Sequence, residues 1–167
     1  FFESLFYNGF CVALALVVFG VGFILIENKN KTVETKINSL GDITYKTAMI
    51  IGLFQLIAAI FPGTSRSGAT ILGALLIGVS RTVAAEFTFF LAIPVMLGAS
   101  LLKVLKFGVS FSGNEGMILL TGMICAFIVS VIVIKFLMGY IKKNDFKVFG
   151  YYRIVLGILV LLYFLIF

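Results

Sequence analysis

Seven residues, Pro62-Gly63-Thr64-Ser65-Arg66-Ser67-Gly68, interrupt a long apolar stretch with a turn, three hydroxyls and a guanidinium. Pro62 ends the helical run before it, and Gly63 permits a sharp turn. Ser65 and Ser67 both suit the cap of the helix that follows, whose first backbone N–H groups have no intrahelical partner. That helix start carries the positive end of the macrodipole and binds phosphate readily. Arg66 adds a planar fork suited to two phosphate oxygens at once. Thr64, Ser65, Ser67 and Thr70 can donate hydroxyl hydrogen bonds around the same point. A Pro-Gly turn with Ser and Thr is by itself commonly just a turn. Inside an apolar span, however, an arginine is costly enough that function is the default reading. The cluster predicts an oxyanion site whose ligand carries a phosphate on something that partitions into lipid.

Two further polar groups are candidates. Gln55 lies seven residues before Pro62, about two helical turns, and can face the tip or a neighbouring helix. Glu86 lies in the first turn or so of a later apolar run; the dipole favours it there, and pairing with Arg81 is the preferred expectation. Pro94, further along that run, is expected to kink it.

The elements that carry the cluster follow from composition. Of 167 residues, 62% are hydrophobic and 12% charged, whereas soluble domains hold about 45–50% and 25%. An integral membrane protein remains. The formal charge of +6 comes from basic residues lying mostly between apolar runs, as in cytoplasmic loops, so a nucleic-acid partner is excluded. With no His, and with Cys11 and Cys125 isolated in apolar runs, a zinc site or redox pair has nothing to build on; the cysteines are expected to be small core residues. The chain begins Phe1-Phe2-Glu3, without the pattern of a secretory signal, and is expected to be the C-terminal portion of a longer protein.

Residues 9–26 are uncharged and span roughly 27 Å as a helix. A polar stretch, 27–46, follows. The runs 83–102, 117–134 and 151–167 are each long enough, or nearly so, to span. The arms 47–61 and 69–79 are too short to span singly, and one helix through both would hold Arg66 at its centre at a cost of at least about 2.5–3.5 kcal/mol. A re-entrant helix-turn-helix with its tip near mid-membrane is the alternative, tolerated only where buried in protein or lining a cavity. Charge counting favours it. Ten residues (Lys29, Lys31, Lys36, Lys46, Arg81, Lys135, Lys142, Lys143, Lys147 and Arg153) then share one side against Lys103 and Lys106, while a single crossing divides them evenly. The expected fold is an all-α integral membrane protein, one domain over 1–167, with four spanning helices plus one re-entrant helix-turn-helix. Gly68, Gly73 and Gly78 supply close helix contact along the second arm.

PGTSRSGAT at 62–70, with IGLFQLIAAI at 51–60 and AAEFTFFLAIPVMLGA at 84–99, resembles the second signature of the undecaprenyl-diphosphatase family, the BacA/UppP-type bacitracin-resistance phosphatases. The resemblance extends along the whole chain. It implies an inverted-repeat fold in the bacterial inner (plasma) membrane, with the site toward the outer face. It also implies hydrolysis of undecaprenyl diphosphate to undecaprenyl phosphate and inorganic phosphate, recycling the carrier for peptidoglycan synthesis. Carried over by motif position, Arg66 and Ser65 would be catalytic, and Gly63, Thr64, Ser67, Thr70 and Gln55 would bind substrate. The family's first signature, with its acidic pair, serine and histidine, is absent from this chain. The Mg or Ca cation expected for the full enzyme would find its ligands in that missing N-terminal part, and a homodimer is compatible.

A transporter or flippase for a lipid-linked phosphate is the alternative, since broken helices whose ends meet an anion also mark transporters. A purely structural subunit leaves Arg66 unexplained. Haloperoxidase-like lipid phosphatases require histidines that this chain lacks.

Overall fold

The structure, a computed structural model, describes residues 9–30, 35–107 and 113–166. Among the described residues six helices follow in order: α1 (Gly9–Asn30), α2 (Tyr45–Ile60), α3 (Arg66–Leu76), α4 (Arg81–Phe107), α5 (Gly113–Lys143) and α6 (Lys147–Ile166), with a 3-10 turn at Leu40–Asp42. Four of them, α1, α4, α5 and α6, are long and apolar enough to cross a membrane, and α2 is a shorter apolar helix. The protein is all-helical and multi-pass. The spanning helices run further than the apolar runs alone suggest. Charged residues prolong them: α4 ends beyond Lys106 and α5 at Lys143. Pro94 lies inside α4, which continues through it as one helix.

α2 and α3 form an antiparallel hairpin. Thr44 caps α2, accepting from the Thr47 N–H at 3.2 Å. Gly73 on α3 packs against the Phe54 ring of α2, so the two arms lie in direct contact. Their outer ends also meet. The Gly78 carbonyl accepts from the Lys36 N–H at 2.8 Å, and the Ile37 carbonyl from the Ser80 N–H at 2.9 Å. The chain therefore leaves the hairpin where it entered.

α1 and α6 lie antiparallel along a seam of small residues. A Cβ on Gly20 would stand 2.8 Å from the Gly150 carbonyl oxygen, and one on Gly157 2.9 Å from that of Ala13. Only glycine lets the backbones approach so closely, which gives dispersion contact where lipid offers no hydrophobic drive. The main core gathers at the end where the hairpin opens: Phe23, Ile51, Leu75, Val79, Ile141 and Phe146 are all buried there. Most of α5 is exposed, as expected for a surface that faces lipid tails. Cys125 is on that surface, so it is not the core residue expected; an apolar helix in lipid need not bury its small side chains.

A carboxylate joins this core. Glu27, 0% exposed, accepts from Arg81 Nε at 2.9 and 3.0 Å and from Nη2 at 2.5 Å. It also accepts from the Phe146 N–H at 3.2 Å. One side chain thus ties α1 to the start of α4 and to the loop before α6. The expected Arg81–Glu86 pairing is overturned, because the Nε–Nη2 edge of Arg81 is turned to Glu27 and Glu86 stands half-exposed on α4.

The pair is asymmetric, since the Arg81 side chain is 35% exposed and Glu27 is not exposed at all. Arg81→Ala, which strands a buried charge, is expected to cost about 3–5 kcal/mol. Glu27→Gln, which leaves a partly hydrated guanidinium, is expected to cost about 1.5–3 kcal/mol. Thermal or denaturant unfolding in detergent would read the order, and a reversed order would refute this account.

Candidate functional site

The tip of the hairpin is built from strained backbone. Gly63 sits at φ +90°, and a Cβ there would approach the Val12 carbonyl of α1 to 2.7 Å, so a glycine is required twice over. Ser65 takes φ +60°, ψ 123°, a conformation costing about 1–3 kcal/mol in a residue with a Cβ. It is the N-cap of α3: its Oγ accepts from the Gly68 N–H at 3.3 Å and its carbonyl from the Ala69 N–H at 3.0 Å. Of the two serines suited to capping, the structure selects Ser65. Ser67 Oγ lies 3.2 Å from Ser65 Oγ.

Satisfying the inner side of the turn takes up other groups. The Thr64 hydroxyl, buried, donates to the Phe61 carbonyl at 2.8 Å. Thr70, also buried, turns its hydroxyl back to the carbonyls of Ser67 (3.0 Å) and Arg66 (3.1 Å) and meets Thr88 Oγ1 at 3.0 Å. Thr64 and Thr70 therefore shape the tip from within. What faces outward is the amide pair of Arg66 and Ser67, the Ser65–Ser67 hydroxyls and the exposed Arg66 side chain. Among the described residues Arg66 has no carboxylate partner. Gln55 is half-buried on α2, about 10 Å along the helix from Pro62, and among the described residues has no hydrogen bond to the tip. The tip stands beside Val12, nearer the Gly9 end of α1 than the middle expected from sequence.

A second arginine supports the tip. Arg153 Nη1 donates to the Thr64 carbonyl at 3.0 Å, its fork lies against Gly68, and its guanidinium carbon sits 5.6 Å from the centre of the Phe23 ring. It lines a cavity of about 150 Å³ with Ser67, Gly68, Thr88, Phe23 and Phe149. Sequence reading counted Arg153 among the loop cations. The structure corrects that, because α6 already begins at Lys147, where Asp145 Oδ1 accepts from the Lys147 N–H at 3.3 Å. Recognising Asp145 as an Asx turn just ahead of a helix would have put Arg153 well inside it. Glu27 was legible too: Ala13, Gly20, Phe23 and Glu27 recur at spacings of 7, 3 and 4, one buried stripe.

Among the described residues no group of three or more carboxylate, imidazole or thiol side chains comes together to hold a metal ion. The chemistry of these groups suits an anion, and among the described residues no strong base stands beside the tip.

A broken helix hairpin with hydroxyls and an exposed arginine at its tip, set in a bundle of four helices able to span a membrane, defines a multi-pass membrane protein. Residues 1–159 match the family model described as "Bacitracin resistance protein BacA", and the chain belongs to that family. It is 72% identical over 163 residues to an undecaprenyl-diphosphatase of Desulfitobacterium hafniense, covering 98% of this chain and 59% of that protein. Over 164 residues it is 66% identical to undecaprenyl-diphosphatase 1 of Clostridium acetobutylicum, covering 98% and 60%. Over 166 residues it is 57% identical to an undecaprenyl-diphosphatase of Enterococcus faecalis, again 98% and 60%. The chain spans about 60% of the length of these relatives.

Arg153→Met should loosen the tip by removing the donor to the Thr64 carbonyl. Amide exchange at residues 63–68 is expected to quicken, with a loss of about 1–3 kcal/mol in stability. Unchanged exchange there would show that the contact does not hold the turn.

Proposed function

We propose that this chain supplies the phosphate-binding half of an undecaprenyl-diphosphate phosphatase. The observation that carries the reading is an exposed Arg66 beside helix-start amides that have no partner among the described residues, in a chain similar along 98% of its length to a relative named for that activity. In this reading Arg66 and the amides of Arg66 and Ser67 take the diphosphate, and Ser65 and Ser67 hydrogen-bond its oxygens. Gly63 and Thr64 hold the loop, with Thr70 and Gln55 behind it. Donors fixed before the ligand arrives stabilise developing negative charge without reorganising. Transfer of a phosphoryl group also needs an in-line nucleophile. We assign that nucleophile, and a divalent cation with its carboxylate ligands, to the part of the longer relatives that this chain does not span. The described residues offer that cation no donor set, so no step here is derived through it.

Phosphate release from undecaprenyl diphosphate, in detergent with Mg²⁺ or Ca²⁺, tests the reading when this chain is combined with the N-terminal part of a full-length relative. Release that needs both pieces and falls by about two to three orders of magnitude in Arg66→Ala is expected. Lipid binding through Arg66 without release would favour a transporter instead.

We further place the α2–α3 hairpin as a re-entrant element of an inverted-repeat fold, entering and leaving at the basic, cytoplasmic face. The meeting of residues 36–37 with 78–80 supports this. Removing Arg153 from the ten cations counted in the sequence leaves nine for that face, of which Lys31 lies outside the described residues, against Lys103 and Lys106. The tip then opens toward the outer face of the bacterial plasma membrane. With Cys11 and Cys125 replaced, a cysteine at Lys142 is expected to resist an impermeant thiol reagent in intact cells and to react after lysis. Labelling in intact cells would invert the topology.

A further inference from the structure

At the end of the molecule opposite the tip, a polar cleft of about 600 Å³ lies between the α3–α4 junction and the loop joining α5 to α6. Arg81, Lys142 and Lys143 line it together with Asp145, Ser80 and Thr82, over a floor that includes Leu75 and Ile141. Glu27 occupies Nε and Nη2 of Arg81 and leaves Nη1 without an acceptor among the described residues. Lys142 and Lys143 are exposed and, among the described residues, have no carboxylate partner. Among the described residues, three cations against Asp145 and the buried Glu27 leave the cleft one positive charge in excess. Lysines in the last turn of a helix also offset its macrodipole. That role does not account for an arginine edge and two hydroxyl-bearing residues lining the same space. A second cleft next to it shares Asn30 and Leu75 and adds Lys29 and Lys36, so the basic character continues around the rim.

The location selects the ligand. Four helices able to cross a membrane have an end here: Asn30 of α1, Arg81 of α4, Lys143 of α5 and Lys147 of α6. The cleft therefore lies at the depth where the apolar spans stop and lipid headgroups begin. Basic pockets between spanning helices at that depth suit phosphate-bearing headgroups. We propose that this cleft binds the headgroup of an anionic glycerophospholipid. Its phosphate lies between Arg81, Lys142 and Lys143, and hydroxyls of a glycerol headgroup face Asn144 and Asp145. The site is separated from the tip by the length of α3, about 16 Å. It rests only on the membrane character of the helices, not on the phosphatase reading.

The test is native mass spectrometry of the purified chain in detergent, titrated with phosphatidylglycerol or phosphatidylcholine. Phosphatidylglycerol is expected to be retained ten- to thirtyfold more strongly, an order of magnitude expected of two surface cations. K142Q/K143Q is expected to bring it down to the phosphatidylcholine level. Both lysines are exposed, so the fold should survive, and thermal unfolding checks this. K103Q/K106Q, which removes two cations at the other end of α4, should leave the preference intact. Equal retention of the two lipids would overturn the proposal, as would undiminished preference in K142Q/K143Q. A melting temperature raised by inorganic phosphate in the wild-type chain but not in K142Q/K143Q, without lipid preference, would assign the cleft to a soluble anion and overturn it equally.

Discussion

A carboxylate removed from water must be met by charge and hydrogen bonds, and Glu27 is met by one guanidinium and one backbone amide from two distant parts of the chain. That requirement registers α1, the start of α4 and the approach to α6 against one another. Such a pair adds little net stability over an apolar replacement, but leaving either group alone is expensive, so alternative packings of these segments are disfavoured. Phe23, Leu75, Val79 and Phe146 pack around the same point. The base of the hairpin is thereby fixed, and its tip can project along α1 as far as Val12.

The tip divides its polar groups by direction. On the inner side, Thr64, Thr70, Thr88 and Arg153 satisfy turn carbonyls or one another, because water is excluded there. On the outer side, the first amides of α3 and the Arg66 fork are left available. The positive-φ turn at Gly63 and Ser65, held by the inner contacts, fixes the direction of those donors before any ligand arrives. Donors fixed in this way need no rearrangement to meet an anion in a poorly solvating medium.

Elsewhere the helices obey the rules of lipid. α5 presents apolar side chains outward along nearly its whole length, and α1 and α6 meet along a close glycine seam. Burial of apolar surface cannot drive that contact when the surroundings are equally apolar; close backbone approach can. The two ends of the bundle differ accordingly. Basic residues gather where the helices α1, α4, α5 and α6 meet the hairpin base, while the tip lies toward the other end.

The four long apolar helices and the broken hairpin were legible in the residues themselves, because a 167-residue chain that is 62% hydrophobic makes its polar interruptions conspicuous. Local chemistry sufficed for Pro62, Gly63 and the serine cap, since turn and cap depend on neighbours in sequence. Tertiary structure alone decided the partners. Arg81 pairs with Glu27, 54 residues away, rather than with nearby Glu86; Arg153 reaches back 89 residues to the Thr64 carbonyl. It also turned Thr64 and Thr70 inward, although their hydroxyls had looked equivalent to those of Ser65 and Ser67. Periodicity places a side chain on a face of its helix, but only the packing of one helix on another determines whether that face meets a carboxylate, a carbonyl or lipid.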